Sequence, residues 1–346
     1  MTQRMWASLG GVALVAAMAV PATAQTTAKK APAKSGAAMK TADGQPDLQG
    51  IWDFRTVTPL ERPVEFGDKE FLTEKEAEEY AAKVVASRDA DANRGKEARR
   101  VVNGTNETED VALAYNNFWW DRGTKVVGNR RTSLIISPKN GRIPPLTADG
   151  QKMQDERAKI LERPAEGPED RPVGERCILG FNVGPPMNPG AYNMNVHIVQ
   201  NKDYVLLMNE MVHNARIVPL DNRPFSGLRQ WSGESRGHWE GNTLVVETKN
   251  FYQTTSMQNS SPNYHLIEKF TRLESGVLQY DYTVTDPTTW TKPWSAQIQM
   301  TLSDQPIYEY ACHEGNYGMY GLLAGARAVE DRKSTRLNSS HVALSR

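Results

Sequence analysis

His265-Leu-Ile-Glu-Lys-Phe-Thr-Arg-Leu-Glu-Ser-Gly-Val-Leu-Gln-Tyr-Asp-Tyr-Thr-Val284 decides the fold. It reads as two strands, His265 to Leu273 and Val277 to Val284, joined across the tight turn Glu274-Ser275-Gly276. The same grammar recurs on both sides. Val196 to Gln200 and Tyr204 to Asn209 flank Asn201-Lys-Asp203 as a hairpin, and Ala215 to Leu220 runs into a turn at Asp221-Asn222-Arg223-Pro224. Thr243 to Thr248 leaves a Gly241-Asn242 turn, Ala296 to Leu302 continues the pattern, and Pro306 to Tyr310 reads as a last strand. No crossover helix separates these strands, so the chain is expected to be mainly β: an antiparallel β-barrel or meander. A β-propeller-like fold or a β-sandwich is the alternative, but no blades of constant length align.

Upstream, the period is helical. Thr73 with Glu76 forms a capping box for a helix from Glu74 to about Ala86, and Thr147 to Glu162 is compatible with a second helix. Between them, Arg130 to Ile136 reads as a strand, followed by an Asn140-Gly141 turn and a return strand stopped by Pro144-Pro145. Downstream, Asn316 to Val329 reads as a short C-terminal helix. Residues 46–175 thus form an N-terminal helix and loop region with short strands, and residues 176–330 an antiparallel β domain.

The two ends read differently from the rest. A basic start (Met1 to Arg4), an apolar run (Trp6 to Val20) and Ala22-Thr23-Ala24 make residues 1–24 an expected signal peptide, cleaved after Ala24. Residues 25–45 are expected to be a flexible linker, since Gln25 to Lys40 carries too little apolar surface to offset ordering. The product is expected to be periplasmic or secreted, with no membrane span after processing. Lys333 to Arg346 resembles a translated sequencing adapter, so residues 331–346 are expected to be a non-native tail and His341 is assigned no role.

Composition excludes some classes. Lys plus Arg equals Asp plus Glu at 41 each, and no basic run interleaves with aromatics, so a nucleic-acid partner is not expected. The absence of a P-loop and of a dinucleotide fingerprint leaves no organic cofactor to expect. The only two cysteines, Cys177 and Cys312, are expected to form a disulfide in an oxidising compartment.

Four segments resemble an uncharacterised family of exported bacterial proteins. They are Arg131-Thr-Ser-Leu-Ile through Asn140-Gly-Arg-Ile-Pro-Pro-Leu-Thr147, Tyr192-Asn193 with its hairpin, Ser235-Arg-Gly-His-Trp-Glu-Gly-Asn-Thr-Leu-Val-Val246, and Tyr308-Glu-Tyr-Ala-Cys-His-Glu-Gly-Asn-Tyr317. The resemblance implies export and transfers no catalytic roles.

Candidate chemistry gathers in three places. His313 and Glu314 follow Cys312 before the C-terminal helix, where an imidazole suits proton transfer near neutral pH; disulfide terminus and helix cap is the plainer reading. Glu210 and His213 are three apart, with Asn214 and Arg216 able to hold an oxyanion; a polar turn between strands is the alternative. Tyr115, Asn116, Phe118, Trp119, Trp120 and Asp121 are the parts of an aromatic-lined cleft for a planar ring or a sugar face, to which Trp290 and Trp294 could add. Asp121 would be a general acid there, with Glu210, Glu240, Glu309 or Glu314 as a second carboxylate. Arg130 and Arg131 would hold negative charge, and His238 with Trp239 would wall a pocket at a Gly-rich turn. His197 and His265 are expected on strand faces. No zinc spacing occurs, so no metal site is expected. The functional expectation is a cofactor-independent hydrolase or lyase acting on a small aromatic or carbohydrate-like molecule. The alternatives are an extracytoplasmic ligand-binding protein with an aromatic-lined pocket, or an envelope structural protein.

Overall fold

A computed structural model describes residues 39–88, 120–252 and 260–344. In chain order its elements are β1 (Gly50–Asp53), α1 (Glu74–Ser87), β2 (Ile135–Ser137), α2 (Ala148–Glu162), β3 (Asn195–Gln200), β4 (Tyr204–Asn209) and β5 (Ala215–Pro219). There follow β6 (Glu234–Glu240), β7 (Thr243–Lys249), β8 (His265–Glu274), β9 (Val277–Thr285), β10 (Trp294–Ser303) and α3 (Tyr317–Leu344).

The ten strands form one antiparallel sheet in the order β5-β4-β3-β1-β10-β9-β8-β7-β6, with β2 also paired to β10. The sheet is not closed, so it is a curved meander rather than a barrel. Short β1 comes from the N-terminal region yet lies between β3 and β10, where Trp52 pairs with Val196 and Leu302. It joins the two hairpin-rich halves.

Alternation explains the curvature. Along β9 the pattern Leu278, Tyr280, Tyr282 and Val284 is fully buried while the intervening residues are half-buried. β10 repeats it with Trp294, Ala296, Ile298 and Met300. These inner faces share one apolar cluster with Trp52, Ile198, Leu207, Val218, Leu244 and Phe270, so the sheet wraps around its own side chains. Wrapping carries the edge strand β5 across the interior: the Arg216 guanidinium forms two hydrogen bonds to the Glu268 carboxylate of β8, at 2.6 and 2.9 Å. Tyr280 donates to the same carboxylate at 2.7 Å and accepts the Met187 N–H at 3.1 Å. Burial opposes the Arg216 charge, but the adjoining Glu268 outweighs it and holds the guanidinium pKa above its ordinary value.

The helices begin as their caps dictate. Thr73 and Glu76 exchange both bonds of the capping box, and Thr147 Oγ1 accepts the Gly150 N–H at 2.9 Å to start α2. α3 continues past Glu330 into the adapter-like stretch, and among its described side chains only Ala326 is buried. Arg327 ties it to the carbonyls of Ala165 and Glu166.

Three expected elements differ. Of the strand expected over Arg130 to Ile136, only the Ile135–Ser137 end forms. Arg130 adopts a left-handed φ of 56°, which breaks the extended run, and no return strand follows the Gly141 turn. Pro306 to Tyr310 forms no strand because its N–H groups go to side chains: Tyr308 to Glu210 Oε1 at 3.3 Å, and Tyr310 to His213 Nε2 at 3.0 Å. His238 and Trp239 lie not in a Gly-rich turn but within β6, directly opposite Val245 and Leu244.

Candidate functional site

The two ends of the strand order, β5 and β6, face each other without a ladder between them. At one end of this seam they touch. A Cβ on Gly237 would lie 2.7 Å from Val218 Cγ1 and 2.9 Å from Leu220 Cδ2, so the missing side chain permits the approach. At the other end the strands part, and a groove of about 590 Å³ opens. One wall is Asn214 to Ile217; the other runs from Arg229 to Arg236, with Tyr252 beside it and Ile178 and Leu179 as a cap.

The Trp231 and Tyr252 rings pack 4.7 Å apart at a 35° tilt, and the Arg176 guanidinium sits 5.5 Å from the Trp231 ring. Arg229 donates to the carbonyls of Phe251 and Pro262 and has no carboxylate partner among the described residues. The only carboxylate in the lining, Glu234, is committed elsewhere. It accepts the Ser226 N–H at 2.8 Å and the Asn250 amide at 2.9 Å, and it pairs with Arg236. Although burial opposes ionisation, the Ser226 and Asn250 bonds and the Arg236 charge bring its pKa down to about 2. Asn214 Nδ2 and Arg216 Nε are buried donors without a partner in the same wall. The groove is therefore aromatic on one side and carries one arginine charge, that of Arg229, with no carboxylate partner among the described residues.

The disulfide expected between Cys177 and Cys312 is present, spanning 135 residues. It pins the Arg176–Leu179 cap to the segment before α3. Gly180 lets this cap press on the β4–β5 turn, since a Cβ there would lie 1.9 Å from Met211 Cγ. On its far side, Arg176, Ile178, His313, Asn316 and Met319 line a shallower hollow of about 530 Å³.

The catalytic candidates are not brought together. Glu210 is buried, and its carboxylate accepts from Asn195 Nδ2 and from the Tyr308 N–H rather than from His213. His213 Nε2 accepts the Tyr310 N–H, which fixes the ring proton on Nδ1 and occupies the nitrogen a general base would use. Glu210 and His213 thus fasten one extended segment. His313 and Glu314 lie exposed in the turn before α3. Asp121 pairs with Arg55, which also grips Asp53. Arg216 is sealed in the core by Glu268, and its Nε is buried as well.

The aromatic expectations divide. Tyr115, Asn116, Phe118 and Trp119 lie outside the described residues. Trp120 packs 5.6 Å from Tyr192, which also meets Phe181 and stacks on Tyr310, a surface aromatic cluster with Arg122 over Trp120. Trp290 and Trp294 instead meet edge-to-face in the core. Arg130 is exposed, and Arg131 lies over Phe71, 3.8 Å from Glu70, toward α1. His238 contacts Glu240 on the exposed face of β6, and Trp239 packs against the main core. His265 contacts Glu247 at 2.9 Å. His197 sits on β3 opposite Ile51 and Met208.

Arg176, Arg229, Trp231 and Tyr252 had not stood out in the sequence. The available signal was a tryptophan beside an arginine in the polar stretch between two strands, Arg229-Gln-Trp-Ser232. Among the described residues no helix is long and apolar enough to cross a membrane. No protein-family model, curated protein or solved structure matches the chain.

Proposed function

We propose that this chain is an extracytoplasmic binding protein whose ligand seats in the seam groove between β5 and β6. The observation that carries the reading is the groove's imbalance: Arg229, Trp231 and Tyr252 line it, with the Arg176 guanidinium over the Trp231 ring, while its one carboxylate is already bonded. Such a lining suits a ligand that combines a planar or apolar group with negative charge. The Cys177–Cys312 bridge and the resemblance to exported proteins support the extracytoplasmic address. The hydrolase or lyase reading draws less support, because Glu210 and His213 accept backbone N–H groups and His313 has no carboxylate partner among the described contacts.

Thermal unfolding in the presence of a panel of aromatic carboxylates and short acidic peptides tests the proposal. A ligand at a hundredfold its Kd stabilises by about 2.7 kcal/mol. At least one panel member should raise Tm in the native chain and fail to do so in Trp231→Ala and Arg229→Ala. Stabilisation that survives both substitutions, or none from any member, would overturn the groove as the site.

A further inference from the structure

The strand order contains an odd number of strands. Nine strands lie on the path from β5 to β6 and every neighbouring pair is antiparallel, so β5 and β6 point the same way across the seam. They cannot join as an antiparallel pair. One further strand, antiparallel to both, would complete an even, uniformly antiparallel ring.

The phase of the β4–β5 ladder shows which edge groups such a strand would meet. Asn209 donates to the Asn214 carbonyl at 2.9 Å and Leu220 to the Asp203 carbonyl at 2.9 Å, both in register with the β4–β5 pairing. Asn214, Arg216, Val218 and Leu220 therefore direct their main-chain groups toward β4. Ala215 and Ile217 direct theirs away from it, toward the groove. Both residues are exposed, Ile217 at 65 %. Ser232 Oγ donates across the seam to Asn214 Oδ1 at 3.1 Å, so the open part, Ala215 to Ile217, offers three residues of edge, about 10 Å at the rise of a strand.

Resting on the binding reading above, we infer that the ligand is an extended acidic peptide added as a strand between β5 and the start of β6. Its backbone pairs with Ala215 and Ile217, one side chain packs on Trp231 and Tyr252, and a carboxylate meets Arg229. Charge selects the occupant. Arg229 holds only carbonyls and is not neutralised within the groove. Strand addition at an exposed edge draws affinity from main-chain bonds and specificity from alternate side chains.

The test uses residues 25–346 and a fluorescein-labelled hexapeptide of alternating glutamate and valine with one central tryptophan, read by anisotropy. Three comparison probes accompany it: the same peptide N-methylated at its two central residues, a lysine-for-glutamate version, and indole-3-acetate as a small aromatic anion. The acidic peptide should bind, and N-methylation should weaken it at least about tenfold by removing main-chain donors. The lysine version should not bind. Ile217→Pro, which deletes a seam N–H but no bond to β4, should weaken the unmodified peptide at unchanged Tm. Equal binding of the N-methylated peptide would overturn strand addition while leaving the groove as the site. Indole-3-acetate binding that requires Trp231, without peptide binding, would do the same. Binding by neither class would overturn both readings.

Discussion

The interior of the sheet and the seam at its edge use the same residue types in opposite ways. Inside, Arg216, Glu268 and Tyr280 are joined by three short hydrogen bonds, and the two charged side chains are 3 % and 0 % exposed. At the seam, Arg229, Trp231 and Tyr252 line an open groove, and the Arg229 charge meets only carbonyls. The first arrangement is self-contained: a carboxylate that already accepts three bonds has little left for a substrate. The second is incomplete. The location of unmatched groups, more than the presence of histidines and carboxylates, marks the candidate site.

The interior pair is where the largest effect is expected. Glu268→Gln leaves Arg216 charged and buried, and urea unfolding at neutral pH should show a loss of about 3–5 kcal/mol. Replacing both partners with apolar residues of similar volume should recover most of it. If Glu268→Gln is nearly neutral, the interior is wetter than described and the contrast with the seam fails.

Removing the disulfide should cost less, yet it reaches the seam. Cys177→Ser with Cys312→Ser should lower stability by about 2–4 kcal/mol through the freed 135-residue span. The same change releases the Arg176 cap, so peptide affinity should fall along with Tm. Affinity unchanged at lower Tm would separate the cap from the site.

Acid should act next, by up to about 3 kcal/mol. Folding lowers the Glu234 pKa from 4.5 to about 2, so its contribution is full above pH 4.5 and is lost as pH falls toward 2. Comparing native and Glu234→Gln stability across that window should give a difference that shrinks with acid. A constant difference would sink the assignment.

The smallest effect is expected at the residue the sequence made most conspicuous. His313→Ala, exposed in a turn, should change stability by less than about 0.5 kcal/mol and leave peptide binding within twofold. A large loss of binding would move the site to the hollow beyond the Cys177 cap.

Much of this architecture is written locally. The Thr73–Glu76 box started α1, and the hairpins at Asn201-Lys-Asp203 and Glu274-Ser275-Gly276 formed as read, because a cap or a tight turn is set by a few neighbouring residues. Where long-range bonds compete, local reading fell short. Tyr308 and Tyr310 have the composition of a strand, but Glu210 and His213, about a hundred residues earlier, take their N–H groups. Likewise Glu210 and His213 have the spacing of a catalytic pair, and only the folded chain shows that they accept the Tyr308 and Tyr310 N–H groups.

By itself, then, the amino-acid order determined the β-rich class, most strand limits, the helix starts and the pairing of its only two cysteines. These follow from alternation, turn chemistry and scarcity. The tertiary structure alone decided that Arg216 meets Glu268, that Trp290 and Trp294 are core, and that Arg229 and Trp231 share a groove with Asn214. Each depends on how far a nine-strand path curls and where its ends meet, which is set by packing of the whole inner face rather than by any short stretch of chain.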